Sequence, residues 1–153
     1  HGTGSHRLDS LVFICGNAEI LETLGVPDLE SSRLFLLLGA VNAALAVLIG
    51  AFGAHALKAR LSTADMAIFQ TGSQYHFYHA LGLLAVGLIL ASYPSSAWIK
   101  ASGWLMLAGI ILFSGSLYVL VITQLRWLGA ITPLGGTAFI IAWITLMAGV
   151  IKS

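Results

Sequence analysis

Four stretches of this chain carry no Asp, Glu, Lys or Arg, and their lengths constrain the fold more than any other feature. They hold 24 residues between Arg33 and Lys58, 34 between Asp65 and Lys100, 25 between Lys100 and Arg126, and 25 between Arg126 and Lys152. A helix rising about 1.5 Å per residue needs about 20 apolar residues to cross the hydrocarbon core of a bilayer. Each stretch is long enough for one crossing and too short for two with a turn. Composition agrees: 58% of the residues are apolar and 8% are charged, against about 25% charged in a soluble domain. A soluble monomer, a disordered chain and a nucleic-acid binder are all disfavoured.

The expected fold is therefore an all-α membrane protein. It is a compact bundle of four transmembrane helices over about residues 34–57, 75–93, 101–125 and 133–151. Strands are disfavoured because open edges cannot be satisfied in lipid, and the alternation of barrel strands is absent. Tyr93, Trp98, Trp104 and Trp127 fall near predicted helix ends, where aromatic anchors belong, whereas Trp143 falls mid-span and suits packing. Arg33, Lys100 and Lys152 on one side balance Lys58, Arg60 and Arg126 on the other, so the positive-inside rule sets no orientation. Small residues at Ala46, Gly50 and Ala54, with Gly39 and Ala43 beside them, predict close helix approach.

Between the first two spans, Leu61–Gln74 predicts a short amphipathic helix lying at the membrane interface. Ser62 suits its N-cap, Asp65 its first turn, and Met66 and Phe69 share a face. Gly72 then allows a turn into the second span. Residues 1–32 have a different character. They hold five acids and one base, a net −4, whereas residues 33–153 hold six bases and one acid, a net +5. The opening His1-Gly2-Thr3-Gly4-Ser5 lacks a Met and resembles tag linker. Residues 1–32 thus read as a non-native leader before a transmembrane domain at 33–153. Cys15, the single cysteine, lies in that leader, so no intrachain disulfide can form.

Few side chains offer chemistry. His76 and His79 are three apart on one helical face, and His55 ends the first span on the same side of the membrane. Three imidazoles at similar depth are the sharpest constellation in the chain, able in principle to ligate haem or a divalent metal. Helix-end histidines more often hydrogen-bond a neighbouring helix, and no His-Glu-x-x-His motif or Cys pair accompanies these three. A second polar set comprises Asn42, Ser114, Ser116, Tyr118, Thr123 and Thr132. Ser114 lacks a Gly-x-Ser-x-Gly elbow and an acid to orient a base, which disfavours serine hydrolysis. No charge sits centrally in a span, which disfavours ion-coupled transport.

Four segments together carry a family resemblance: Gly50-Ala-Phe-Gly-Ala-His55; Gln70-Thr-Gly72 with Tyr75 and His79; Leu112-Phe-Ser-Gly-Ser-Leu-Tyr118; and Thr132-Pro-Leu-Gly-Gly136 with Gly129 and Trp143. In this order and spacing they resemble the uncharacterised YgdD/YwdK-like family of small bacterial inner-membrane proteins, over about residues 33–153. The resemblance implies a multi-pass, four-helix protein of the bacterial inner (cytoplasmic) membrane with no assigned activity. It places His55, Tyr75, His79, Ser114, Ser116, Tyr118, Thr132 and Pro133 on family motif positions. The chain departs from the pattern at His76, where the family carries glutamine.

The resulting expectation is a non-enzymatic bundle whose role is structural or is the binding of membrane lipid or a partner, a second copy or another membrane protein included. The alternative is a small channel or transporter with a polar path lined by His55, His79, Ser114 and Thr132. A weaker alternative is haem or metal binding through His55 and His79. The cofactor, if any, is left open.

Overall fold

A computed structural model of the protein describes residues 29–152. Helix α1 runs Leu29–Phe52 and continues through a π-helical turn at Gly53–Leu57. Helix α2 runs Thr63–Ser92 without a break. Helix α3 runs Ala97–Gly109, passes through a second π-helical turn at Ile110–Gly115, and resumes as Ser116–Thr123. A 3-10 turn at Arg126–Ala130 leads into α4, Thr132–Lys152. The described residues contain no strand.

All four helices are long and apolar enough to cross a membrane. Their outer faces carry Leu37, Leu48, Ile111, Ile122 and Ile140, each more than half exposed. Such a surface suits lipid and not water. The four-span, all-helical bundle read from the charge spacing is the one observed. α1 packs along α2, α3 packs along α4, and α2 also meets α3. One apolar core surrounds Phe35, Leu83, Met106 and Phe139. A second surrounds Phe69, Leu120, Val121 and Leu128 at the other end.

Helix boundaries differ from the expectation in instructive ways. α1 begins at Leu29, and Ser32 is buried with its hydroxyl donating to the Gly87 carbonyl of α2 at 2.7 Å. The rest of the expected leader, residues 1–28, lies outside the described residues. α3 starts at Ala97 and so takes Lys100 into its first turn. The long stem of a lysine lets its ammonium reach the interface from there.

The expected interfacial helix is not a separate element, and this corrects the reading of Leu61–Gln74. Ser62 does cap a helix: its hydroxyl accepts the Asp65 N–H at 3.1 Å and donates to the Asp65 carboxylate at 2.9 Å. That helix is α2 itself, which passes through Gly72 unbroken. Gly72 serves contact and not a turn, because a Cβ there would lie 3.2 Å from the Tyr118 ring and 3.3 Å from the Leu117 Cβ. Phe69 is buried in the second core, so the Met66–Phe69 face packs into the bundle.

Glycine lets backbones meet at two other places. At the α1–α2 crossing, a Cβ on Gly39 would sit 2.8 Å from the Leu84 nitrogen, and one on Gly87 2.9 Å from the Leu36 nitrogen. In lipid this close approach substitutes for the hydrophobic drive that water would supply. Ala46 of the expected small-residue stripe is buried, whereas Ala54 is exposed in the π-turn that follows α1. At the start of α4, a Cβ on Gly135 would sit 2.4 Å from the Phe113 nitrogen in the π-turn of α3. At Gly136 it would meet only the Phe113 ring, at 3.7 Å. Gly135→Ala is accordingly expected to destabilise the bundle by about 1–3 kcal/mol, while Gly136→Ala is tolerated. Thermal melts of both variants in one detergent check this; equal melting temperatures would remove the backbone contact from the account.

Candidate functional site

The polar side chains of the membrane region converge on α2, which contributes two imidazoles one turn apart. The Nε2 of His76 lies 3.2 Å from Asn42 Oδ1 on α1, and its Nδ1 lies 3.3 Å from the Tyr118 hydroxyl on α3. Asn42 donates its amide N–H to the Leu38 carbonyl at 2.8 Å, which leaves Oδ1 as an acceptor. His76 therefore donates from Nε2, and its Nδ1 accepts the Tyr118 proton. One hydrogen-bonded chain thus crosses three helices.

His79 faces the other way. Its Nδ1 lies 2.8 Å from the Tyr75 carbonyl, and its Nε2 lies 3.3 Å from the Trp143 indole nitrogen on α4. A carbonyl only accepts and an indole N–H only donates, so His79 is neutral with its proton on Nδ1. Its ring stacks on Phe139 at 3.4 Å with an interplanar angle of 11°. Tyr75 stacks on Phe113 of α3 at 4.6 Å, which closes an aromatic cluster over three helices. A neutral, doubly bonded imidazole is the form that costs least inside a membrane.

A third link joins α3 to α4. Ser116 donates to the Phe113 carbonyl at 2.9 Å and accepts from the Thr132 hydroxyl at 3.0 Å. Pro133 follows in the first turn of α4, where its missing N–H removes no helical bond. Its carbonyl accepts the Thr137 hydroxyl at 2.9 Å. Ser114 lies in the π-turn, fully buried, with no hydrogen-bond partner among the described residues. At the end of the bundle Asp65 pairs with Arg126 at 3.0 Å, and Arg126 donates to Gln124 at 2.7 Å. This ties the start of α2 to the connection before α4.

The structure thus brings Tyr75, His79, Ser116, Tyr118, Thr132 and Pro133 into contacts between helices or at helix starts. It does not bring His55 to them. His55 is exposed in the π-turn that ends α1, whereas His79 lies 16 residues into α2, about 24 Å from its start. The three imidazoles do not share a depth, because α2 begins at Thr63 and not at Tyr75. A His55–His79 pair for haem or metal loses its geometry, and both nitrogens of His79 already have partners. Among the described residues no three His, Cys, Asp or Glu side chains cluster as metal ligands would.

Sequence reasoning set His76 aside and missed the pairing of Asn42 and Trp143 with the histidines. The usable signal was a simple one. An amide or an indole N–H within an otherwise apolar span is costly unless a partner faces it from a neighbouring helix.

Comparison with known proteins agrees with this architecture. A family model described as "Protein of unknown function (DUF423)" matches residues 49–136, more than half of the chain. The UPF0382 membrane protein YwdK of Bacillus subtilis (strain 168) is 51% identical over 120 residues, covering 78% of this chain and 98% of the relative. The UPF0382 membrane protein SERP0230 of Staphylococcus epidermidis is 50% identical over 120 residues, covering 78% and 97%. The UPF0382 membrane protein SSP2132 of Staphylococcus saprophyticus is 48% identical over 120 residues, covering 78% and 98%. No solved structure matches the chain. With about half of the 120 aligned residues identical across nearly the full length of these relatives, the chain belongs to the DUF423/UPF0382 family of small bacterial membrane proteins.

Proposed function

We propose that this protein is a non-enzymatic bundle of the bacterial cytoplasmic membrane. Its internal polar side chains hold four helices in register, and its outer surface takes a membrane lipid or a protein partner. The observation that carries this reading is the double commitment of His79 to the Tyr75 carbonyl and the Trp143 indole. A general base or a metal ligand needs a free ring nitrogen facing a space where a substrate or ion can sit. His79 instead has a ring stacked on Phe139 and no lone pair to spare. His76 is committed in the same way to Asn42 and Tyr118.

The rival reading, a polar path joining His79 to Ser114 and Thr132, fits less well. Thr132 is bonded to Ser116, and the Phe139 ring occupies the space beside His79.

The role of the seam is testable by stability. Trp143→Phe keeps an aromatic side chain and removes the donor to His79, with an expected loss of about 0.5–2 kcal/mol. His76→Gln keeps one donor for Asn42 and one acceptor for Tyr118, so it should melt close to the wild type. His76→Leu strands both partners and should cost about 1–3 kcal/mol. Equal melting of His76→Gln and His76→Leu would show that the chain does not hold the helices. The non-enzymatic reading would be falsified if purified protein showed a turnover that His79→Ala abolished while the bundle remained folded. For location, the protein should co-sediment with a cytoplasmic-membrane marker and resist alkaline extraction. Recovery in the soluble or outer-membrane fraction would overturn the placement.

A further inference from the structure

A groove of about 420 Å³ opens between the C-terminal end of α1 and the first turns of α2. Its α1 wall is formed by Gly50, Gly53 and Ala54, which contribute almost no side chain. Gly53 must stay bare because the Phe69 ring lies against it; a Cβ there would be 2.0 Å from a ring carbon. The α2 wall presents Gln70 and Gln74, four residues and so one turn apart. Lys58, just past the end of α1, stands over the outer end.

Three observations on this groove are independent of the polar seam. Gln70 and Gln74 are exposed on a membrane-crossing helix, about 10 and 16 Å from its start. Neither amide has a hydrogen-bond partner among the described residues. An amide left without a partner on the outer face of a membrane-crossing helix is costly. Lys58 and Arg60 are exposed cations at the same end, and the acid that follows them in the chain, Asp65, is taken by Arg126. The polar groups therefore follow a fixed order, from an ammonium at the outer end to two amide donors about two and three turns into α2.

A phospholipid presents the matching order. Its phosphate lies at the surface, its glycerol ester carbonyls lie a few ångströms deeper and can only accept, and its acyl chains follow into the bilayer. We propose that this groove binds one anionic phospholipid, with Lys58 on the phosphate and the Gln70 and Gln74 amides donating to the ester carbonyls. The proposal rests on the reading of the protein as a bundle that takes a lipid on its outer surface, and it names the lipid class and the place. Ser73 lines the same groove one turn before His76 on α2, so the site borders the seam without drawing on His79 or Trp143.

The test is native mass spectrometry of the full chain in a mild detergent. The protein is titrated with phosphatidylglycerol, with phosphatidylcholine of the same acyl chains, and with inorganic phosphate. Phosphatidylglycerol should bind with one-to-one stoichiometry, about five-fold or more tighter than phosphatidylcholine, the effect of one basic residue on an anionic lipid. Lys58→Ala should remove that preference, and Gln70→Leu with Gln74→Leu should weaken both lipids. Ala54→Phe, at an exposed position, should fill the groove and block binding without disturbing the core. Equal binding of the two lipids, unchanged by these variants, would mean annular lipid only and would overturn the proposal. Binding of phosphate alone with the same affinity would make this a free-anion site and overturn it too, as would a dimer whose formation Ala54→Phe abolishes. Trp143→Phe keeps the seam experiment separate, since it should lower the melting temperature and leave lipid affinity unchanged.

Discussion

A polar group inside hydrocarbon has no solvent to fall back on, and the organisation of this bundle follows from that constraint. Backbone groups meet it by forming helices. Side chains meet it across helices, and α2 is where most of those partners are found. Placed one turn apart, His76 and His79 reach opposite neighbours: the first joins α1 and α3, the second joins α4. A neutral imidazole suits the task because it carries one donor and one acceptor at opposite edges of a rigid ring, and each edge here meets a group of matching sense. Individually such bonds contribute little, about 0.6 kcal/mol on average between membrane helices. Their larger effect is directional, since a register shift of α2 by one residue would turn both rings away from their partners.

The blocks that carry the family resemblance meet pairwise at these contacts. Gly53 of the first block accepts the ring of Phe69, the residue preceding the second block. Gly72 of the second faces Leu117 and Tyr118 of the third. Phe113 and Ser116 of the third meet Gly135 and Thr132 of the fourth. Small residues where backbones approach and hydroxyls where helices bond are what packing in lipid demands. The motif positions therefore have a structural reason to exist before any ligand is considered. The π-turns sit at two of these junctions, at Gly53–Leu57 and Ile110–Gly115.

How much of this was legible depended on the range of the physics involved. The number of crossings followed from charge spacing, because excluding ions from hydrocarbon is strong and needs no knowledge of neighbours. The start of α2 was misplaced by twelve residues, at Tyr75 instead of Thr63. Gly72 reads as a turn between an interfacial helix and the second span when taken locally. In the bundle Gly72 fits against Tyr118, and Thr71 returns its hydroxyl to the Ala67 carbonyl at 3.0 Å. That one boundary error carried the histidines with it, since moving the helix start changed the depth of His76 and His79 but not of His55. Ser62 and Asp65 were read correctly because an N-cap is decided within four residues.

The polar groups of the protein divide by location, and the division separates assembly from recognition. Asn42, His76, Tyr118, His79, Trp143, Ser116 and Thr132 turn inward or toward one another, and each finds its partner in the chain. Lys58, Gln70 and Gln74 turn outward at one end, with side chains that the described residues leave unbonded. Neither set can take over the work of the other. Freeing an inward group for a ligand would break a helix contact, while pairing the outward amides within the bundle would close the groove between α1 and α2. α1 is the helix least buried by its neighbours, so it borders the surrounding lipid along most of its length. A groove on its flank is where a bilayer component can enter without disturbing the seam beneath.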